Sequence, residues 1–149
     1  MPISEAYLRC PGGIFLHPDM ARYQKASDQV FDVFEKFTPQ IEPMSIDEAF
    51  LDMTGSCHLF GGARGSAQKL KEDVRIETGL TASVGIAPNK MLAKIASDLK
   101  KPDGLVIVDP EGVEEFLWPL AINRLWGIGP KTEEALKSFG IKTVGDLAH

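Results

Sequence analysis

The run Ser45-Ile46-Asp47-Glu48-Ala49-Phe50-Leu51-Asp52 sets two carboxylates side by side between short apolar segments. Hard oxygen donors of this kind suit magnesium, which takes one or two protein carboxylates and completes its shell with water and substrate phosphates. The matching chemistry is phosphoryl or nucleotidyl transfer, in which bound ions activate the attacking oxygen and stabilise the leaving one. Neighbouring residues of a regular strand point to opposite faces, so Asp47 and Glu48 can serve one ion only where the backbone turns or bulges. The alternative is that acidic residues simply favour hairpin turns. Asp52 suits a turn or a solvent-facing strand position and is given no metal role.

A second segment with chemical meaning is Trp126-Gly127-Ile128-Gly129, followed by Pro130, Lys131 and Thr132. Two glycines around one apolar residue let a backbone approach an anion closely, and a following helix adds free N–H groups and the positive end of its dipole. Gly127 and Gly129, assisted by Lys131, are therefore candidates to hold a DNA phosphate without reading its sequence; a tight helix–helix turn with no ligand is the other reading. A third feature is the concentration of Asn89, Lys90, Lys94, Lys100 and Lys101. Solvated helix lysines explain it, unless they face the carboxylates, where they would hold a triphosphate or a template backbone.

These residues must be positioned by an ordinary globular chain: 149 residues, 44% hydrophobic and 25% charged. That length supports one good core with a small appended unit. No apolar run approaches the ~18 residues of a membrane helix, and no basic, apolar leader opens the sequence, so the expected location is cytoplasmic. Cys10 and Cys57 have neither metal-site spacing nor neighbouring histidines, which leaves no basis for zinc or a disulfide. The net charge of −5 argues against a general basic surface for nucleic acid, so DNA contact has to come from helix ends and backbone amides.

The elements follow from pattern. Residues 3–9 suit a short helix and Ile14-Phe15-Leu16 a brief strand. Asp19 caps a long helix whose Met20, Tyr23, Ser27, Val30, Phe34 and Phe37 share a face. Residues 41–46 and 49–53 form a hairpin; Gly61, Gly62 and Gly65 mark a loop before a helix carrying Ala67, Leu70 and Val74. Residues 80–86 alternate as a strand. A helix then runs from Pro88 to Leu99, and Leu105–Val108 is a buried strand. A boundary falls near Asp109-Pro110, beyond which a small helical unit contains a helix from Lys131 to Phe139, closed by Gly140. Mixed strands and helices of this order give an α+β fold.

Taken jointly the motifs resemble the Y-family, or translesion, DNA polymerases, in their DNA polymerase IV branch. The resemblance rests on the Ser45–Asp52 signature, on the block from Ala82 through Asn89, Lys90 and Lys94 to Ser97 with its Lys100-Lys101-Pro102-Asp103-Gly104 continuation, and on the Gly127–Gly129 hairpin. It covers nearly the whole chain. It implies residues 1–18 as the end of the fingers, 19–109 as an incomplete ferredoxin-like palm with an antiparallel-rich sheet, and 110–149 as the start of a helix-hairpin-helix thumb. It further implies Asp47 and Glu48 as metal-binding catalytic carboxylates for Mg2+, Lys101 as a contact to the incoming nucleotide triphosphate, and Gly127, Gly129 and Lys131 as DNA-binding residues. Primer-template DNA and deoxynucleotide triphosphates are the partners of such an enzyme, with a sliding clamp as a further candidate.

The departures are equally informative. The family's first palm strand, with its Asp-x-Asp-x-Phe-Phe pattern, third carboxylate and steric gate, has no counterpart here. Nor have the fingers residues that grip the triphosphate, the rest of the thumb or the basic little finger. Met1 directly before a mid-domain motif points to a piece of a longer reading frame. The expectation is a fragment of a lesion-bypass polymerase, inactive alone, with at most a weak magnesium site and a tendency to self-associate through unpaired strand edges. The competing readings are a non-catalytic DNA-binding module built on the hairpin, and an autonomous metal-dependent transferase or nuclease recruiting Asp52 or Glu42 as third ligand.

Overall fold

The computed structural model describes all 149 residues. Eleven regular elements follow the chain: α1 (Ile3–Arg9), α2 (Met20–Glu35), β1 (Ile41–Pro43), β2 (Ala49–Leu51), α3 (Gly62–Thr78), β3 (Val84–Ile86), α4 (Lys90–Leu99), β4 (Leu105–Ile107), α5 (Val113–Leu117), α6 (Pro130–Ser138) and α7 (Val144–Ala148). The fold is α+β. β1 and β2 form an antiparallel hairpin with Ile41 opposite Leu51, and β3 and β4 pair in parallel with Val84 opposite Leu105. The two pairs remain separate two-stranded sheets.

α2 and α3 provide the main core. Asp19 caps α2 by accepting from the Arg22 amide at 3.0 Å, as its sequence position leads one to expect. Val33 near the C-terminal end of α2 and Phe37 just beyond it meet Leu70 and Val74 of α3, and Leu51 and Met53 join from the hairpin side and Ala82 and Val84 from the β3 side. Each fully buried aliphatic side chain here contributes about 1.5–3 kcal/mol. The N-terminal part of the α2 stripe does not reach this core: Met20 and Tyr23 stay exposed, and α1 buries nothing. The chain exposes 10261 Å² of surface. A folded monomer of 16.3 kDa is expected to expose about 7,500 Å². The excess shows in the apolar side chains of Ile3, Leu8, Ile14 and Leu16, all open to solvent.

Four local expectations give way. Ile14–Leu16 is not a strand, because no neighbouring strand offers it hydrogen-bond partners. The Gly61–Gly65 stretch is not a loop: α3 starts at Gly62, and a Cβ at Gly65 would lie 2.2 Å from the Phe60 carbonyl oxygen, so the glycine is what lets the helix begin against the preceding turn. The alternating segment 80–86 is a strand only from Val84, where β4 supplies its partner. Asn89, not Pro88, opens α4, with its side chain accepting from the Leu92 amide at 3.0 Å.

α4 buries Leu92, Ile95 and Ala96 against β3 and β4. The approach is close because Gly85 has no side chain: a Cβ there would meet the Ala93 carbonyl oxygen at 2.1 Å and the Ser97 nitrogen at 2.5 Å. Beyond β4, α5, α6 and α7 form a small unit around the fully buried Ile122 and the buried Val144. Ile122 donates to the Lys142 carbonyl and Val144 to the Leu120 carbonyl, both at 2.9 Å, and Thr143 with Asp146 makes a capping box on α7. No helix is long and apolar enough to cross a membrane.

Gly85→Ala is expected to destabilise the chain by about 1–3 kcal/mol, since helix backbone rather than a flexible side chain must move. Urea unfolding followed by circular dichroism measures it; an unchanged midpoint would show that α4 does not rest on β3 at this distance.

Candidate functional site

The hairpin turn between β1 and β2 carries the adjacent acids. Met44 and Ser45 both donate their amides to the Glu48 carbonyl, at 2.8 and 3.2 Å, which folds residues 45–47 into an exposed bend. Asp47 is exposed in that bend and accepts from the Ser45 hydroxyl at 2.6 Å. Glu48 is half-buried and turns toward α4, where its Oε1 lies 2.5 Å from the Lys94 ammonium. The two neighbouring carboxylates thus engage different partners. The other acids considered as third ligands are also committed: Glu42 pairs with Lys90, and Asp52 accepts from the Thr54 amide at 2.9 Å. No three His, Cys, Asp or Glu side chains are grouped to hold a metal ion. The donors have the right hardness for magnesium, but in this arrangement they do not amount to a two-ion site, because one oxygen of Glu48 is already taken by an ammonium and no third ligand is near.

Two of the lysines, Lys94 and Lys101, face Glu48, whereas Lys90 pairs with Glu42. Along α4, Lys90, Lys94 and Asp98 recur every four residues, and the turn after the helix returns Lys101 to the same face. Lys101 lies 2.7 Å from Asp98 and 3.9 Å from Glu48, while Lys94 lies 3.3 Å from Asp98. Two ammonium groups and two carboxylates therefore form one closed cluster. Partial burial pushes the Lys94 ammonium down, but its hydrogen bonds to Glu48 and Asp98 outweigh this and hold it above its ordinary value. Partial burial likewise raises the Asp98 carboxyl, and the hydrogen bonds from Lys101 and Lys94 overcome that and hold it below its ordinary value. Asp98 is a member of this cluster that sequence reasoning did not single out; its one signal is the four-residue spacing from Lys94. Lys71 is another. Its ammonium reaches the carbonyls of Ala82 at 3.0 Å, Asp103 at 2.5 Å and Gly104 at 3.2 Å, tying down the turn that carries Lys101.

The second candidate lies in the loop from Leu125 to Gly129. Gly127 adopts φ 93°, which favours glycine. Gly129 differs: its φ is −85° and an added Cβ would meet nothing within 4 Å. Neither backbone conformation nor internal packing calls for glycine there, as is also true of Gly12, Gly55 and Gly112. Pro130 opens α6, and the amides of Gly127, Gly129, Lys131 and Thr132 find no acceptor within the chain. Lys131 is exposed beside them. Glu133, the acid of that first helical turn, is held low in pKa by hydrogen bonds from Lys137 and Asn123, which also spend its charge locally. Asn123 to Ile128 line a cleft of about 240 Å³ together with Lys94 and Asp98, so the glycine loop stands next to the charged cluster.

Residues 1–98 match the model of the impB/mucB/samB family, and residues 110–141 that of the IMS family HHH motif. The DNA polymerase IV of Desulfatibacillum aliphaticivorans is 49% identical over 147 residues, which is 99% of this chain and 37% of that protein. The DNA polymerase IV of Halorhodospira halophila is 48% identical over 146 residues, 98% of this chain and 41% of that protein. Among solved structures, DinB from Sulfolobus solfataricus superposes with a TM-score of 0.90 at 35% identity, covering 99% of this chain and 44% of that one. An insertion ternary complex of Dbh DNA polymerase gives 0.86 at 35% identity, covering 99% and 43%. The chain therefore spans about two-fifths of the length of the relatives it matches.

A depressed carboxyl contributes stability above its unfolded pKa and loses it as pH falls through the lower folded value. Asp98→Asn is therefore expected to shrink the stability lost between about pH 5 and pH 2. Parallel urea titrations of the parent chain and the variant across that range test this; identical acid limbs would mean that the Lys94 and Lys101 contacts do not form.

Proposed function

Because this chain belongs to the impB/mucB/samB family, we propose that it forms the end of the fingers (1–18), most of the palm (19–109) and the start of the thumb (110–149) of a lesion-bypass, DNA-directed DNA polymerase. The observation that carries the reading is the group of unbonded amides at the start of α6, beside Gly127 and Gly129. A glycine required neither by its backbone nor by its neighbours, beside four unbonded amides at a helix start, suits a DNA backbone phosphate held without sequence preference. Backbone amides grip an anion without adding charge, which reconciles DNA contact with a net charge of −5.

In this reading Asp47 and Glu48 are the palm carboxylates, and a divalent ion, magnesium by the hardness of its ligands, supplies charge neutralisation at the transferring phosphate when bound. Lys101, exposed at the edge of the cluster, orients the incoming triphosphate, and Lys131 adds charge at the DNA strand. The family's third carboxylate belongs to a strand that this sequence does not contain. β2 and β3 rest on the same core without pairing with each other, and their free edges suit a further strand. With Glu48 held by Lys94 and no third carboxylate near, this arrangement lacks the ligand set for polymerisation. Open edges and the exposed N-terminal apolar side chains favour self-association. The cell compartment consistent with this role is the cytoplasm, and a sliding clamp remains a partner for the longer protein.

A second reading has its own support. Unbonded amides stand at the start of α6 while Glu48 holds Lys94, which suits a non-catalytic DNA-binding module. Gly129→Val tests both readings at the hairpin. At this cap position it costs about 1 kcal/mol of stability, yet it should weaken retention of duplex DNA by on the order of tenfold. Asp47→Ala should leave retention unchanged. Equal retention by Gly129→Val would remove the hairpin from DNA binding. Primer extension by the chain with magnesium should give no product; extension abolished by Asp47→Ala would establish a complete polymerase site. Light scattering at rising concentration should show dimers or larger species, and a strict monomer would refute self-association.

A further inference from the structure

We infer that Lys94 is an internal cation that competes for Glu48: its ammonium takes the carboxylate oxygen a divalent ion would need, and Asp98 is the second seat to which it moves when an ion arrives. The inference rests on the reading of Glu48 as a metal-binding carboxylate, and it explains why that carboxylate is not free here.

Four distances define the arrangement. Lys94 Nζ is 2.5 Å from Glu48 Oε1 and 3.3 Å from Asp98 Oδ2, so a small rotation at the end of the side chain exchanges one partner for the other. Lys101 Nζ is 2.7 Å from Asp98 Oδ1 and 3.9 Å from Glu48 Oε1, which leaves the other Asp98 oxygen for Lys94. Lys94 is the more enclosed of the two lysines, with 17% of its side chain exposed against 52% for Lys101. It is anchored on α4 between the buried Leu92 and Ile95–Ala96, so its base is fixed while its end is free to choose.

The charges of Glu48, Asp98, Lys94 and Lys101 cancel. A neutral cluster keeps a half-buried carboxylate ordered without an unpaired charge, and offers little attraction to a dication. Lys94 is thus a positioning residue that acts through Glu48.

The test is Mn2+ binding to the chain, followed by water-proton relaxation, with no nucleotide present. Removing the lysine charge in Lys94→Gln should tighten Mn2+ binding by on the order of tenfold, while Lys94→Arg should stay as weak as the parent chain. Asp98→Asn, which removes the second seat, should weaken it further. Equal affinities for Lys94→Gln and Lys94→Arg would overturn the inference, as would tighter binding by Asp98→Asn. Should Lys94→Gln fail to fold by circular dichroism, Lys94→Met removes the same charge and is expected to tighten binding likewise, and an affinity equal to that of Lys94→Arg would overturn the inference. Glu48→Gln separates the two levels: binding that survives it sinks the metal reading of Glu48 itself. Binding that Glu48→Gln abolishes, but Lys94→Gln leaves unchanged, sinks the competition alone. No binding in any form sinks both.

Discussion

The missing side chain at Gly85 sets the distance at which α4 lies on β3, and the charged face of the molecule depends on that distance. With the helix backbone against the strand, Leu92, Ile95 and Ala96 are pinned beneath it and the opposite rows point where the packing leaves them. Lys90 and Lys94 then stand over the hairpin of β1 and β2, and Asp98 and Lys101 complete the group at the end of the helix. A helix held further from the strand by a single methyl group would carry these ends away from Glu48. The polar contacts are consequences of an apolar one.

Electrostatics inside that group follow from its partial enclosure. A carboxylate at the edge of a core needs a counter-charge, and the chain supplies one from its own lysines. This satisfies Glu48 at the cost of its readiness for an ion, while Asp47 stays in solvent with only Ser45 as partner. The adjacency of the two acids in the sequence thus does not by itself make a shared site. A bend turns one outward and lets the other reach across to another element.

The glycine loop works on a different principle. Its anion-binding capacity is backbone geometry: a left-handed glycine, a second glycine with open space before it, and unbonded amides at the start of α6. Such a site needs no net positive charge, and so an acidic chain can carry it. The cleft it shares with Lys94 and Asp98 sets the two polar regions side by side, joined through the small unit around Ile122 and Val144.

Sequence by itself determined the elements whose signals are local. The Asp19 cap, the amphipathic stripe of α4, the turn glycines at 127 and 140, and the family signature around Asp47 and Glu48 all depend on residues within a few positions of one another. Tertiary structure decided what depends on a partner distant in the chain. Whether Ile14–Leu16 and residues 80–83 become strands turns on a neighbour to bond with, and whether Gly65 sits in a loop or a helix turns on the nearness of Phe60. The choice of Lys94 over Lys101 as the nearest cation to Glu48 belongs to the same class. It is a difference between 2.5 and 3.9 Å across elements that are some fifty residues apart, fixed by packing and invisible to any local pattern.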